Sequence, residues 1–219
     1  MIMLILRNLL LILTLLHLVS CASGLPDSSK TGDSNIDSQN EVVKPKPQIW
    51  PTDALQAFEQ GTSFLKSDPE KAVSAFNLAI QYAPKMEAAY YNLGLLYYAD
   101  IKDKKNQQQL QQLIADAESQ GILSARLLNL SAVNLRKQGK FTEAEVIYEK
   151  ALSIDPNHLS TLANMAILQD LYLGKLNKAL EYYQRYQQQL EQQGKEDKRI
   201  SNWLADLQQR IQKQKKETK

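Results

Sequence analysis

Hydrophobic and polar positions divide this chain into three regimes. Residues 9–19 form a leucine-rich run behind Arg7, with the length of a signal-peptide core. A bilayer-spanning helix needs about 20 predominantly apolar residues; counting from Ile2 nearly reaches that length, but Arg7, Asn8 and His17 interrupt the run. Residues 22 to about 50 carry few apolar side chains and no pattern, with Ser, Asp, Asn, Gly, Lys and Pro prominent, the composition of a flexible tether. Beyond about residue 52 the pattern becomes helical and repeats itself at a spacing of about 34 residues. After the last repeat, Ile200, Trp203, Leu204, Leu207 and Ile211 recur on one face of a further helix.

Two stretches show the repeat most clearly. One first helix carries Tyr90, then Leu93-Gly94, then Tyr97; one second helix carries Ala144, Tyr148 and Ala151 and closes on Asp155-Pro156-Asn157. Together they resemble the tetratricopeptide repeat (TPR). The resemblance implies an all-α fold, a TPR α-solenoid of about four helix-turn-helix repeats in 51–194. The 195–219 segment would supply a capping helix and a basic tail. The residue types make physical sense of this. Gly94, Ala132 and Ala166 are small where the two helices of a unit touch, Ala72, Ala144 and Ala179 open the second helices, and Phe76, Tyr148 and Tyr183 fill the space between units. Pro84 and Pro156 stop their helices because proline lacks the helical N–H.

Four units are expected. The first covers about 52–85, with its second helix starting near Asp68-Pro69. The second begins at Glu87 and has a degenerate second half, where Asn106, Leu110 and Leu113 replace Ala, aromatic and Ala. The third covers 125–158. The fourth begins at Leu159, gains one residue near Gly174, and extends its second helix to about Gln193 before Gly194.

The resemblance also implies a concave groove lined by the first helix of each unit. In unit two that selects Ala88, Tyr91, Leu95 and Tyr98; in unit three, Arg126, Asn129, Val133 and Arg136, with Lys137 beside them; in unit four, Ser160, Ala163, Ile167 and Asp170. Such a groove is apolar and aromatic at one end, with a basic-amide middle, and fits a protein or peptide with apolar anchors and a few acidic groups. Tyr91, Leu95 and Ala99 stand where some repeat proteins carry a carboxylate clamp, so that mechanism is not expected.

Cys21, the only cysteine, follows Leu18-Val19-Ser20. This arrangement resembles the lipobox of bacterial lipoproteins and implies a signal peptide over 1–20, lipidation of Cys21 and a lipidated tether over 21–50. Ala22 in place of aspartate implies the outer membrane, facing the periplasm; the alternative is the periplasmic side of the inner membrane.

Charge and chemistry narrow the function. The formal net charge is +2 before loss of Arg7, too balanced to point to nucleic acid. The 195–219 segment is locally basic; it reads as a solvated, frayed helix end, with contact to anionic lipid headgroups or an acidic partner as the alternative. His158 is the only histidine beyond the apolar run and falls in a turn, where solvation is expected; Glu143 and Glu145 read as surface charges. One imidazole and one lipidated thiol make neither a zinc site nor a catalytic triad, so no cofactor, no metal and no enzyme activity are expected. The architecture resembles TPR lipoproteins of type IV pilus assembly and NlpI-type adaptors, implying a membrane-anchored assembly or adaptor scaffold. The alternatives are an accessory protein of a TonB-type energy-transduction system and a self-associating structural lipoprotein.

Overall fold

The computed structural model describes residues 49–99 and 103–217. The signal peptide, Cys21, the tether up to residue 48 and part of the second unit's polar loop lie outside the described residues. Among the described residues the secondary structure is helical throughout, as the repeat pattern requires.

Four antiparallel hairpins follow one another: α1 (Thr52–Phe64) with α2 (Pro69–Tyr82), α3 (Glu87–Ala99) with α4 (Lys104–Ser119), α5 (Ala125–Lys137) with α6 (Phe141–Ile154), and α7 (Leu159–Ile167) with α8 (Leu176–Gln192). A last helix, α9 (Lys198–Glu217), packs on α8. The first helices α3, α5 and α7 lie side by side, while α2 packs on α3, α4 on α5 and α6 on α7. Each hairpin thus buries its apolar stripe against the next unit, the stacking logic of a solenoid.

Local signals account for the helix ends. Asp68 and Ser124 accept from the N–H groups of Lys71 and Leu127 and so satisfy donors that have no partner inside the helix. Helix α5 ends at Gly139, whose φ of 76° only glycine adopts without cost. There the Lys140 N–H donates to the Leu135 carbonyl, and the chain turns into α6.

Packing follows the small-and-large alternation. Ala72, Phe76 and Ala79 of α2, and Ala144, Tyr148 and Ala151 of α6, are all fully buried. A Cβ built on Gly61 would lie 2.7 Å from the Phe76 ring, and one on Gly94 would lie 2.7 Å from Leu130 Cδ2 and 3.3 Å from Leu110 Cδ1. Gly94 therefore makes room for Leu130 of the next unit and Leu110 of its own. Gly61 is the first unit's small position, one residue nearer to Gly94 than the regular spacing would put it.

The surplus residue of unit four is not in the loop. Helix α7 runs into a π turn at Leu168–Tyr172, where the Leu173 N–H donates to the Leu168 carbonyl five residues back. A π turn accommodates one inserted residue without ending the helix. It sits between Ala166 and Ala179, the interval in which the repeat lengthens.

Helix α9 closes the array. Its Ile200, Leu204, Leu207 and Ile211 are buried in one cluster with Tyr183, Tyr186 and Leu190 of α8. Trp203 is half-buried there, its ring centroid 6.3 Å from that of Tyr183.

Candidate interaction surface

Helices α3, α5 and α7 supply the residues that family positions assign to a groove, and the structure divides them in two. In unit two, Tyr91, Leu95 and Tyr98 are half-buried on α3, each packed on the core yet reaching solvent. Arg126 joins them from the start of α5: its guanidinium lies over the Tyr91 ring at 5.7 Å and its Nε is 3.6 Å from Glu87 Oε1. A cation over a tyrosine face gains from the ring quadrupole and here holds the ring at the surface. Ala88, at 3% exposure, is floor.

The remaining positions are occupied from within. Val133 and Ile167 are core residues, as is Ala163. Asn129 is 3% exposed and accepts a hydrogen bond from Asn164 Nδ2 at 3.2 Å. Arg136, 4% exposed, donates to Asn164 Oδ1 at 3.5 Å and lies 5.7 Å from the Tyr172 ring. Asp170 is bonded through both carboxylate oxygens to Arg210 Nη2 of α9, at 2.8 and 2.9 Å. Groove positions of units three and four thus serve unit-to-unit packing, and the expected basic-amide middle is not an open surface. The physical reason is the neighbour: Asn164 reaches Asn129 and Arg136 from α7, and α9 reaches Asp170. The groove positions that stay open are Tyr91, Leu95, Tyr98 and Arg126, with Lys137 and Ser160 half-buried away from them.

Burial pushes the Asp170 carboxyl above the usual carboxylate range, although Arg210 opposes this. Burial and the ion pair pull against each other at Asp170, whereas at Arg210 burial is overridden and the same pair holds the group above the usual guanidinium range; the geometry of the contact fixes where α9 lies.

Two titratable residues that read as solvated, Glu145 and His158, are not so. Glu145 is 9% exposed and accepts from Lys175 Nζ at 2.7 Å, from Gln169 Nε2 at 2.9 Å and from Lys178 Nζ at 3.4 Å. Burial alone would raise its pKa, but these three partners together hold its carboxyl below the ordinary range. It joins α6 to the π turn and to α8. His158 is half-buried rather than solvated, with Nδ1 2.7 Å from Thr161 Oγ1; burial lowers its pKa, Asp155 works against that and Arg126 adds to it. The Asn129–Asn164 spacing of one repeat plus one residue was a signal for the first pair; for Arg210 there was none beyond its place in an amphipathic helix.

The hairpins, their small and bulky stripe and the capping helix define a tetratricopeptide-repeat solenoid. Residues 123–192, the third and fourth units, match the tetratricopeptide-repeat family directly. A thermophilic TPR protein of Thermus thermophilus is structurally similar, with a TM-score of 0.60 at 20% identity over 72% of this chain and 82% of that one. So is PilF of Pseudomonas aeruginosa, at 0.59 and 18% identity over 74% and 70%. The type IV pilus biogenesis factor PilW gives 0.53 and 20% identity over 63% and 62%. These likenesses are of fold. No curated protein matches the chain as a sequence.

Proposed function

We propose that the protein is an envelope scaffold, tethered to a membrane through a lipid on Cys21, that recruits a protein partner through the first-helix face of its N-terminal half. The half-exposed strip of Tyr91, Leu95 and Tyr98, bordered by Arg126, carries this reading. Scaffolds of this repeat class bind proteins, and aromatic residues with an arginine are the usual anchors of an interface. The occupant is an extended or helical peptide with large apolar anchors and an acidic group able to take Arg126 from Glu87.

Two features favour an assembly or adaptor role in envelope machinery of the pilus or secretin type. The Leu18-Val19-Ser20-Cys21 sequence resembles a lipobox, and type IV pilus biogenesis proteins are among the similar folds. Photocrosslinking from position 91 in cells, followed by mass spectrometry, tests the partner: a discrete crosslinked protein is expected, and it should weaken in Arg126→Glu. A crosslinking pattern unchanged by Arg126→Glu and Tyr91→Ala sinks the groove reading. Radiolabelled palmitate should mark the wild-type chain and not Cys21→Ser; equal labelling of both would remove the anchor.

A further inference from the structure

In a solenoid of hairpins the turns between first and second helices share one edge, and the returns between units share the other. Bonds between units show which ends meet here. Asn134 Nδ2 near the end of α5 donates to the Gln107 carbonyl near the start of α4 at 3.3 Å, Lys175 meets Glu145 across units three and four, and Arg210 near the end of α9 meets Asp170.

That hairpin-turn edge is a row of lysines. Lys66 and Lys71 flank the first turn, and Lys104 and Lys105 open α4. Lys137 and Lys140 flank the third turn, and Lys175 and Lys178 follow the fourth. Because α9 runs antiparallel to α8, its C-terminal Lys213, Lys215 and Lys216 arrive at the same edge. All but Lys137 are exposed. Among the described residues the acids there are fewer: Asp68, Glu70, Asp103, Glu143 and Glu217 beside the buried Glu145 and Asp170, with Lys71 paired to Asp68, Lys175 and Lys178 sharing Glu145, and Lys213 near Glu217. On the return edge acids and bases alternate, Glu87 pairing with Arg126, Glu118 with Lys150 and Asp197 with Arg199; the hairpin-turn edge differs in its surplus of lysine.

The kind of cation and its surroundings identify the counterpart. Arg136 is turned inward, and Arg210 is engaged by Asp170 and Asp206, so the exposed charge is ammonium. Ammonium groups are hydrated point charges without the fork that reads a defined phosphate or base edge. The aromatic residues at this edge, Phe64, Tyr98, Phe141 and Tyr172, are partly packed against the core clusters and stand one to a unit, which is not the run of successive stacking faces that holds a nucleic acid strand. A flat array of phosphates seen through a Debye length of about 10 Å suits such a row.

We propose that the lysine edge docks on the anionic headgroups of a phospholipid bilayer, with the hairpin turns toward the lipid and the return edge away from it. This needs neither the Cys21 anchor nor a groove ligand, so it can fail while both of those stand.

The test is binding of the full chain to vesicles of phosphatidylcholine, alone and with about 30% phosphatidylglycerol. Taking the ratio of the two cancels whatever the apolar N-terminal run contributes. An anionic preference of about tenfold is expected at low salt, disappearing at about 0.5 M salt. The combined variant Lys66→Glu, Lys104→Glu, Lys140→Glu, Lys216→Glu should lose it. A return-edge variant of equal charge, Lys85→Glu, Lys150→Glu, Lys195→Glu, Lys198→Glu, should keep most of it; circular dichroism establishes that both remain folded. Three results overturn the proposal: no anionic preference in the unaltered chain, equal loss in the two variants, or binding to a DNA duplex that matches the vesicles and is lost in the hairpin-edge variant.

Discussion

Arg210 Nη2 bridges both carboxylate oxygens of Asp170 at 2.8 and 2.9 Å, while its Nε donates to Asp206 one helical turn away at 2.8 Å. The Asp170 side chain is 3% exposed, the Arg210 side chain 28%. Helix α9 is thereby fixed to the end of the fourth first helix by a charge that cannot be left alone. Arg210→Ala should cost about 2 kcal/mol in urea unfolding, because it strands a buried acid. Asp170→Leu combined with Arg210→Leu should cost less than Arg210→Ala alone. If the double variant were the less stable of the two, the pair would be a net source of stability and not a positioning device.

The two close glycines predict opposite behaviour at equivalent positions. Gly61→Ala drives a methyl into the buried Phe76 ring, which cannot fold aside. Overpacking of this kind costs about 1–3 kcal/mol. Gly94→Ala meets the tip of Leu130, a branched chain that can rotate, and gains about 1 kcal/mol of helix propensity. The thermal midpoint should drop clearly for the first and hardly move for the second. The reverse order would mean that unit two is the tighter hairpin.

Stability should fall with acidification in two stages. Burial keeps His158 neutral in the fold, so the unfolded chain takes up its proton first, near pH 6.5. The contribution of His158 is complete above that pH and is lost as pH falls through its lowered folded value. Glu145, also lowered, contributes above about pH 4.3 and loses that contribution below. Asp170, raised by burial, works in the opposite sense and blunts the second stage. Urea titrations at several pH values should show a slope setting in below about pH 6.5 that His158→Gln flattens. An unchanged slope in that variant would place the titrating group elsewhere.

Glu145 ties α6 to unit four through Lys175, Lys178 and Gln169. Glu145→Ala should therefore loosen the π turn ahead of global unfolding. Amide exchange at residues 168–175 is expected to rise about tenfold, for a loss of about 1.4 kcal/mol of local protection. Uniform acceleration along all helices would instead mean that the residue supports the whole array.

Much of this architecture was legible because it rests on residue size at a fixed spacing. Gly94, Ala132 and Ala166, the Phe76–Tyr148–Tyr183 series and the Ile200–Ile211 stripe state their packing roles through bulk alone. The surface was less legible. A repeat position says which way Asn129, Arg136 or Asp170 points, but not what meets it there. Asn164 and Arg210 meet them from other helices, the latter 40 residues downstream of Asp170. Glu145 looked solvated because its lysines lie about 30 residues away and become neighbours only through stacking. The surplus residue of unit four was countable from sequence, whereas its absorption inside a helix depended on hydrogen bonding that composition does not record.

That extra residue also limits interchangeability. One more position in a coil of about 3.6 residues per turn would swing whatever follows by roughly 100°; the widened turn at Leu168–Tyr172 takes it up instead, and Gln169 and Lys175 meet Glu145 from there. A regular module grafted in place of unit four would lack that turn and with it the partners of its predecessor's acid. Engineers extending this array should duplicate residues 125–158, the unit that keeps the regular spacing.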